Sequence, residues 1–576
     1  MAPGDILSAS SGVLPPIPDN LTIPQFQLDH TEPTRPHRDA GIPYLVDDAT
    51  GKGIGFAEAR ERTQALANAF SSLYKIGNDD VVLIFSRNHV DYPFALWAVH
   101  RLGGVISPAN PDYSRGELEF QLRATKASLI ITYPDALDTA TAAAKAYGLP
   151  LDRIVVFSVA GMSTGNFVTI DTLVKRGSGL KKAPEFKLKP GEAKTKVALL
   201  SFSSGTTGTP KAVAIPHFAV IANILQLAAH SKINTNYVDW KDQRYRPGDR
   251  ALAVLPFYHI YGLVVNLHFL LYCGMSIVVV PKFHFEAMLK SIVRHRITHL
   301  MLVPPQAVLL CKHPVVKNYD LSGVRYIMIG AAPLSDEVNQ QMFALFPDAQ
   351  IGQGYGMTET STVISIWPIE SKRGISGSAG QLIPGVVARI LKPDGTLGKV
   401  GEVGEVTFKA PSNALRYYNN EKATKETFID GWVRTGDEGT ITADGLLYIT
   451  DRIKEIMKVR GFQVAPAELE GALLDHADVS DACVVGIPDD YSGEVPLAFI
   501  VLSADAAARV ASDLNRLEPI RAGIIKHIAD QKIAYKHLAG GVEFVESIPK
   551  TPSGKLLRRF LRDKAKEIKR PAKAKL

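Results

Sequence analysis

The stretch Val197-Ala-Leu-Leu-Ser-Phe-Ser-Ser-Gly-Thr-Thr-Gly-Thr-Pro-Lys211 decides how the chain is read. It opens as an apolar run of strand length and continues as a turn of small hydroxylated residues, glycines and one lysine. Gly205 and Gly208 let the main chain approach a charged ligand and expose amide hydrogens. Ser203, Ser204, Thr206, Thr207 and Thr209 add hydroxyl donors, and Lys211 adds a positive charge. A donor set this dense beside a buried strand suits a polyphosphate better than a bare surface turn. It is not a Walker A loop: its glycine spacing does not fit that motif, and Ala212 follows the lysine.

Working outward, Ala251-Leu-Ala-Val-Leu255, Ser276 to Val280, His299-Leu-Met-Leu-Val303 and Arg325-Tyr-Ile-Met-Ile329 read as further strands. Phe218 to Ala229 and Phe285 to His295 between them have helical length and period. This alternation predicts α/β architecture, with parallel sheets covered by helices. From Gly374 to Gly404 short glycine-punctuated strands predict a β-rich subdomain, and beyond Asp451 a smaller α+β unit follows, with a strand at Val542 to Val545. With 576 residues the chain exceeds what one core holds, about 250–300 residues, so several subdomains are expected.

Composition excludes other classes. Apolar residues make up 46% and charged residues 21%, an ordinary globular balance. Cys273, Cys311 and Cys483 are far apart, which fits neither a disulfide framework nor a metal-ligand pair and points to a reducing compartment. Met1 to Asn20 has no signal-peptide pattern. Tyr261 to Val280 carries no charge, yet Asn266, His268, Gly274 and Ser276 interrupt it, so a buried helix and a core strand are expected rather than a membrane span. The net charge of +7 is concentrated at the end, since Lys550 to Leu576 holds 11 basic and 2 acidic residues, a local +9 that leaves −2 elsewhere. A solvated helix and tail explain this better than a nucleic-acid face.

Four more segments carry chemistry. In Gly352-Gln-Gly-Tyr-Gly-Met-Thr-Glu359, read as a loop after a strand, Tyr355 suits a purine face, Thr358 a phosphate and Glu359 a Mg²⁺ ion. Trp432-Val-Arg-Thr-Gly-Asp437 places a carboxylate after a tight turn. Asp451-Arg-Ile-Lys-Glu-Ile-Met-Lys-Val-Arg-Gly-Phe-Gln463 and Pro549-Lys-Thr-Pro-Ser-Gly-Lys555 present lysines, the second from a turn.

In this order the five segments resemble the adenylate-forming (acyl-activating) enzymes, most closely the 4-coumarate–CoA ligase-like branch, over roughly residues 40 to 562. The resemblance implies a large N-terminal domain of parallel and mixed sheets with covering helices and a β-rich subdomain, residues 1–450. It also implies a small mobile α+β C-terminal lid, 451–562, hinged near Lys454; residues 563–576 are read as a basic tail. Such enzymes use ATP and Mg²⁺ to convert a carboxylic acid to an acyl-adenylate, and a thiol, usually coenzyme A, then displaces AMP.

By that resemblance Ser203 to Lys211 grips the β- and γ-phosphates, and Thr358 and Glu359 serve the α-phosphate and metal. Asp437 accepts both ribose hydroxyls with Arg452 beside it, and Ala331, Ala332 and Tyr355 flank adenine, Tyr355 between Gly354 and Gly356. Lys555 acts in adenylation, while Lys458 and Gln463 act in thioester formation. His259 lies near the reacting carboxyl, and Ile260, Tyr261, Val265 and Gly330 belong to the acyl pocket. Val265 stands where a small polar residue often binds hydroxylated rings, which favours a more apolar acid, aryl or medium-chain; Tyr261 is still able to bond a phenol. Gly404-Glu-Val-Thr-Phe-Lys-Ala410 and Pro210-Lys211-Ala212 also depart from the plant coumarate ligases. A carrier-loading adenylation enzyme, a luciferase-like oxygenase and a non-catalytic nucleotide-binding protein share these motifs. The final Ala574-Lys575-Leu576 resembles a Ser-Lys-Leu address, so a peroxisomal import receptor is an expected partner, with a cytoplasmic location otherwise.

Overall fold

The computed structural model describes residues 4–6, 12–203, 210–233, 235–489, 491–551 and 554–568. The expected contacts of Ser204, Gly205, Thr206, Thr207, Gly208 and Thr209 with phosphate, and the Ala574-Lys575-Leu576 address, lie outside these residues.

Strands buried at every position mark the interiors of the two large sheets. Val81–Phe85, Val105–Ala109 and Leu129–Thr132 are such strands, paired in parallel and covered by helices including Phe56–Tyr74 and Tyr92–Arg101. They belong to an eight-stranded sheet whose other edge runs Val197–Ser203, Lys211–Pro216, Arg416–Tyr417. The second sheet holds 15 strands in two textures. Arg250–Ala253, Ser276–Val279, His299–Leu302 and Tyr326–Ile329 are parallel. Thr362–Ile366, Gly380–Leu382, Leu446–Arg452, Trp432–Ile441, Gly404–Lys409 and Val387–Leu391 continue it antiparallel, forming the expected β-rich part. Gln350–Met357 joins the textures: it pairs in parallel with Tyr326–Ile329 and antiparallel with Thr362–Ile366.

That junction corrects the reading of Gly352 to Glu359 as a loop. Gly354, Tyr355 and Gly356 are strand residues, and only Thr358–Thr360 turns, as a single 3₁₀ turn. The glycines serve packing. A Cβ on Gly352 would lie 2.2 Å from the Trp367 indole, and one on Gly356 would lie 1.7 Å from the Thr362 carbonyl oxygen. Trp432-Val-Arg-Thr-Gly-Asp437 is corrected likewise. Asp437 sits inside the ten-residue strand Trp432–Ile441, where Gly436 takes φ +69° and its N–H donates to Glu405 Oε1 at 3.0 Å.

The uncharged stretch folds as a π-helix, Tyr261–Phe269, running through Leu270–Tyr272 into the core strand Ser276–Val279. Among the described residues no helix is long and apolar enough to cross a membrane. Cys273, Cys311 and Cys483 are free thiols.

The C-terminal unit has its own five-stranded sheet, built on the hairpin Val479–Asp489 and Gly493–Leu502, with Gly541–Phe544 added in parallel. Two expected boundaries move. The body strand Leu446–Arg452 runs past residue 450. The helix Arg558–Glu567 runs through 562 and 563, because Leu561 and Ala565 are buried in the unit's core despite the charge around them. Asp451 ties the units together: its Oδ2 accepts from Ala467 N at 3.0 Å, satisfying an open amide in the first turn of helix Pro466–Leu474. Lys454 sits exposed in the turn between them.

Candidate active site

The ends of the glycine–threonine turn are fixed by pairing, since Ser203 and Lys211 are partners across an antiparallel ladder. Ser203 Oγ donates to Glu359 Oε1 at 3.0 Å, and the Tyr417 hydroxyl donates to the same oxygen at 2.8 Å. Lys211 Nζ lies 5.0 Å from the centroid of the Tyr417 ring. Burial, and then the Glu359 charge, push the Tyr417 phenol well above its ordinary value, so it stays a donor. Glu359 is only 5% exposed, and its Oε2 has no hydrogen-bond donor among the described residues. The carboxylate is therefore held rigidly by one oxygen, with Thr358 beside it in the same turn.

Asp437 faces Tyr355 and Arg452. The Tyr355 hydroxyl donates to Asp437 Oδ2 at 2.6 Å, and Arg452 Nε is 2.7 Å from Oδ1. That ion pair is close but lacks hydrogen-bond alignment, so Oδ1 is left buried without a hydrogen-bond donor among the described residues. Burial raises the Asp437 pKa, while Arg452 and Tyr355 oppose the shift. Oδ1 is thus engaged by the Arg452 charge and Oδ2 by the Tyr355 hydroxyl, and each keeps acceptor capacity for the ribose hydroxyls expected there.

Ala331 and Ala332, expected to flank adenine, lie after strand Tyr326–Ile329. Ala331 adopts φ +75°, an unfavourable left-handed conformation for a residue with a Cβ. Buried Gln353 steadies this turn by accepting from Leu334 N at 3.1 Å. Gly330 abuts Tyr261, both expected in the acyl pocket, since a Cβ there would lie 3.3 Å from the Tyr261 ring and 3.6 Å from Gly354 O. The Tyr261 hydroxyl donates to Met328 O at 3.2 Å, so its proton is already committed. Ile260 and Val265 are buried beside it, and His259 is partly buried, with Nδ1 accepting from Tyr261 N at 3.3 Å. Burial, and then the charge of Lys555, lower the His259 pKa to about 4, so the imidazole is neutral near pH 7.

Lys555 is therefore at the site. Burial lowers its pKa to about 8, the Arg452 cation acts in the same direction, and Asp437, Glu359 and Glu455 oppose. The turn carrying it is closed locally: Lys555 N donates to Thr551 Oγ1 at 3.0 Å, and Thr551 N donates to Lys555 O at 2.8 Å. It also docks on the body, because a Cβ on Gly554 would lie 3.2 Å from Val303 Cγ2 and 3.3 Å from Pro305 Cδ. Lys458 is elsewhere. It pairs with Gln463 in the hairpin Met457–Val459 and Phe462–Val464, both are exposed, and Lys458 N donates to Glu494 Oε2 at 2.8 Å. Gln463 bonds Glu438, the neighbour of Asp437 on the next position of its strand. The structure unites Ser203, Lys211, Glu359, Asp437, Arg452, Tyr355, His259 and Lys555, and leaves Lys458 outside.

Sequence reasoning missed Tyr417, Gln353 and the bracing of the Lys555 turn. Arg558, three residues after that lysine, donates to both Glu470 oxygens, at 3.1 and 2.6 Å. These partners are 58, 19 and 88 residues apart in sequence, beyond any local pattern.

Residues 33–418 match the family described as AMP-binding enzyme, and residues 468–555 match the AMP-binding enzyme C-terminal domain. The chain is 35% identical to 4-coumarate–CoA ligase 2 of Oryza sativa subsp. japonica, over 91% of this chain and 89% of that one. Among solved structures it is similar to ATP-bound MatB from Rhodopseudomonas palustris, with TM-score 0.78 and 26% identity, covering 95% of this chain and 99% of that one. It shares its fold with the anthranilate CoA ligase AuaEII in complex with anthranoyl-AMP, with TM-score 0.80, 23% identity and coverage of 96% and 98%.

Proposed function

Since this chain belongs to the AMP-binding enzyme family, we propose that it activates an aryl or medium-chain carboxylic acid and transfers the acyl group to coenzyme A. As an AMP-forming acid–thiol ligase it runs two half-reactions. A carboxylate oxygen bonds to the α-phosphorus of ATP, the bond to the bridging oxygen breaks, and pyrophosphate leaves. The thiol sulfur then bonds to the acyl carbon, AMP leaves with the electron pair of the acyl–oxygen bond, and the thiol proton is lost to solvent.

Two anions must meet in the first step, and the site is built for that. Lys555 brings a cation among Asp437, Glu359 and His259, and this placement is the observation that carries the reading. A neutral His259 leaves the incoming carboxylate without a competing cation on that side. Lys211 and the turn after Ser203 supply donors for the leaving pyrophosphate. Glu359 suits Mg²⁺, since it offers a hard oxygen, Oε2, that no described residue hydrogen-bonds. Among the described residues no three His, Cys, Asp or Glu side chains form a cage, so the ion would be held by Glu359 with phosphate oxygens and water, and would offset phosphoryl charge.

The pocket wall supports this acid class. Ile260 and Val265 are apolar, and the Tyr261 proton is engaged by Met328 O. A panel of aryl and medium-chain acids with Mg·ATP, scored for pyrophosphate with and without coenzyme A, tests the reading. Acid-dependent pyrophosphate together with acyl-CoA is expected. Pyrophosphate without acyl-CoA would instead favour loading of a carrier protein.

A further inference from the structure

One polar side chain in the pocket helix has no structural explanation. Asn266 is 0% exposed, and neither its Oδ1 nor its Nδ2 has a hydrogen-bond partner among the described residues. Buried amides are almost always paired, because leaving one open forfeits its hydration without replacement. The other polar residue of this helix, His268, shows what a structural role looks like. Its Nε2 accepts from Trp97 Nε1 at 2.9 Å, and its Nδ1 bonds Leu263 O at 2.7 Å. Asn223, buried on the neighbouring helix His217–His230, is likewise used at both ends by the Val363 backbone.

The helix geometry places Asn266 on the acyl side. Hydrogen bonds here run from i to i+5, as from Leu270 N to Val265 O. Positions four and five residues after Tyr261 therefore return to its face one turn on, and these are Val265 and Asn266. Tyr261 on that face abuts Gly330, whereas His268 points to the opposite side, toward Trp97.

We propose that Asn266 is a specificity-determining residue that hydrogen-bonds an uncharged polar group of the acid, remote from the reacting carboxylate. A carboxamide both donates and accepts, which matches a hydroxyl or amide. Tyr261–Phe269 carries no acidic residue and no Lys or Arg, so a second charged group on the acid would be buried without a counter-charge. This rests on the acid-activating function and deepens it: an otherwise apolar wall ends in one neutral hydrogen-bonding point.

The test uses matched acids with the full-length enzyme: an arylpropionic acid with and without a para-hydroxyl, and a medium-chain acid with and without a terminal hydroxyl. The wild type is expected to favour the hydroxylated member of at least one pair by about tenfold or more in kcat/KM, since a site built to bond a group discriminates against its absence. Asn266→Leu is expected to reduce that ratio by about tenfold, the ratio within each pair being read whatever the absolute rates. Asn266→Ser, which retains a small hydroxyl, covers the case in which the leucine variant does not fold, and is expected to lower the ratio in the same direction. A wild type that favours neither hydroxylated acid overturns the proposal, as does a ratio unchanged in the folded variants. Activation of no acid at all would refute the function itself, a separable outcome.

Discussion

Lys555 and Lys458 belong to the same small C-terminal unit, yet they meet opposite surroundings. Lys555 is drawn against the body, between carboxylates and Arg452, and its pKa falls to about 8. Lys458 stands exposed on a hairpin, its own N–H held by Glu494 of the same unit, while Gln463 opposite it reaches Glu438 of the body. The rest of the site is held by the body, where Glu359 and Asp437 are fixed by Ser203, Tyr417 and Tyr355 from separate strands. A fixed nucleotide wall and a unit bearing one lysine inward and one outward are what two successive half-reactions at one cleft require. On the proposed function, this arrangement is the one that would serve adenylation.

The largest effect that sharpens this contrast is on Lys555. Lys555→Ala is expected to slow acid-dependent pyrophosphate release by about 10²–10³, because it removes a preorganised cation from a charge-shifting step. Stopped-flow pyrophosphate detection measures this, and a loss below tenfold would contradict the inward assignment. On the body side, Tyr417→Phe removes one of two donors to Glu359. A hydrogen bond to a charged group contributes about 1.5–3 kcal/mol, so adenylation should fall by roughly 10- to 100-fold with little change in the acid's KM. The smallest effect is in pH. Lys555 is a cation below its pKa of about 8 and neutral above it, so kcat/KM for adenylation should be level below pH 8 and decline above it. Lys555→Arg, which stays charged throughout this range, should abolish the decline even if its absolute rate is lower.

Regular elements with unbroken periods were legible in the sequence, and long-range contacts were not. The strand Val197–Ser203 and the helix Phe285–His295 follow from apolar runs and spacing alone. Gly352 and Gly356 read as loop glycines because nothing local reveals that Trp367 and the Thr362 carbonyl occupy the space of their side chains. Asp437 was placed after a turn because Gly436 has turn character, whereas the positive φ is absorbed inside a long strand. Charge density around Arg558–Glu567 hid the two buried residues that anchor this helix to the lid. The candidate residues that the fold brings together, such as Glu359, Asp437 and Lys555, could be named from sequence because they sit in compact motifs. Tyr417 could not, since its role exists only through pairing of Arg416–Tyr417 with Lys211–Pro216.

The division of labour between the lysines is tested most directly by supplying preformed acyl-adenylate and coenzyme A to Lys555→Ala and Lys458→Ala, and timing acyl-CoA formation in a single turnover. The account predicts that Lys555→Ala forms the thioester at close to the wild-type rate, while Lys458→Ala is slowed by about tenfold or more yet still releases pyrophosphate normally from acid and ATP. Equal impairment of both half-reactions in both variants would contradict it.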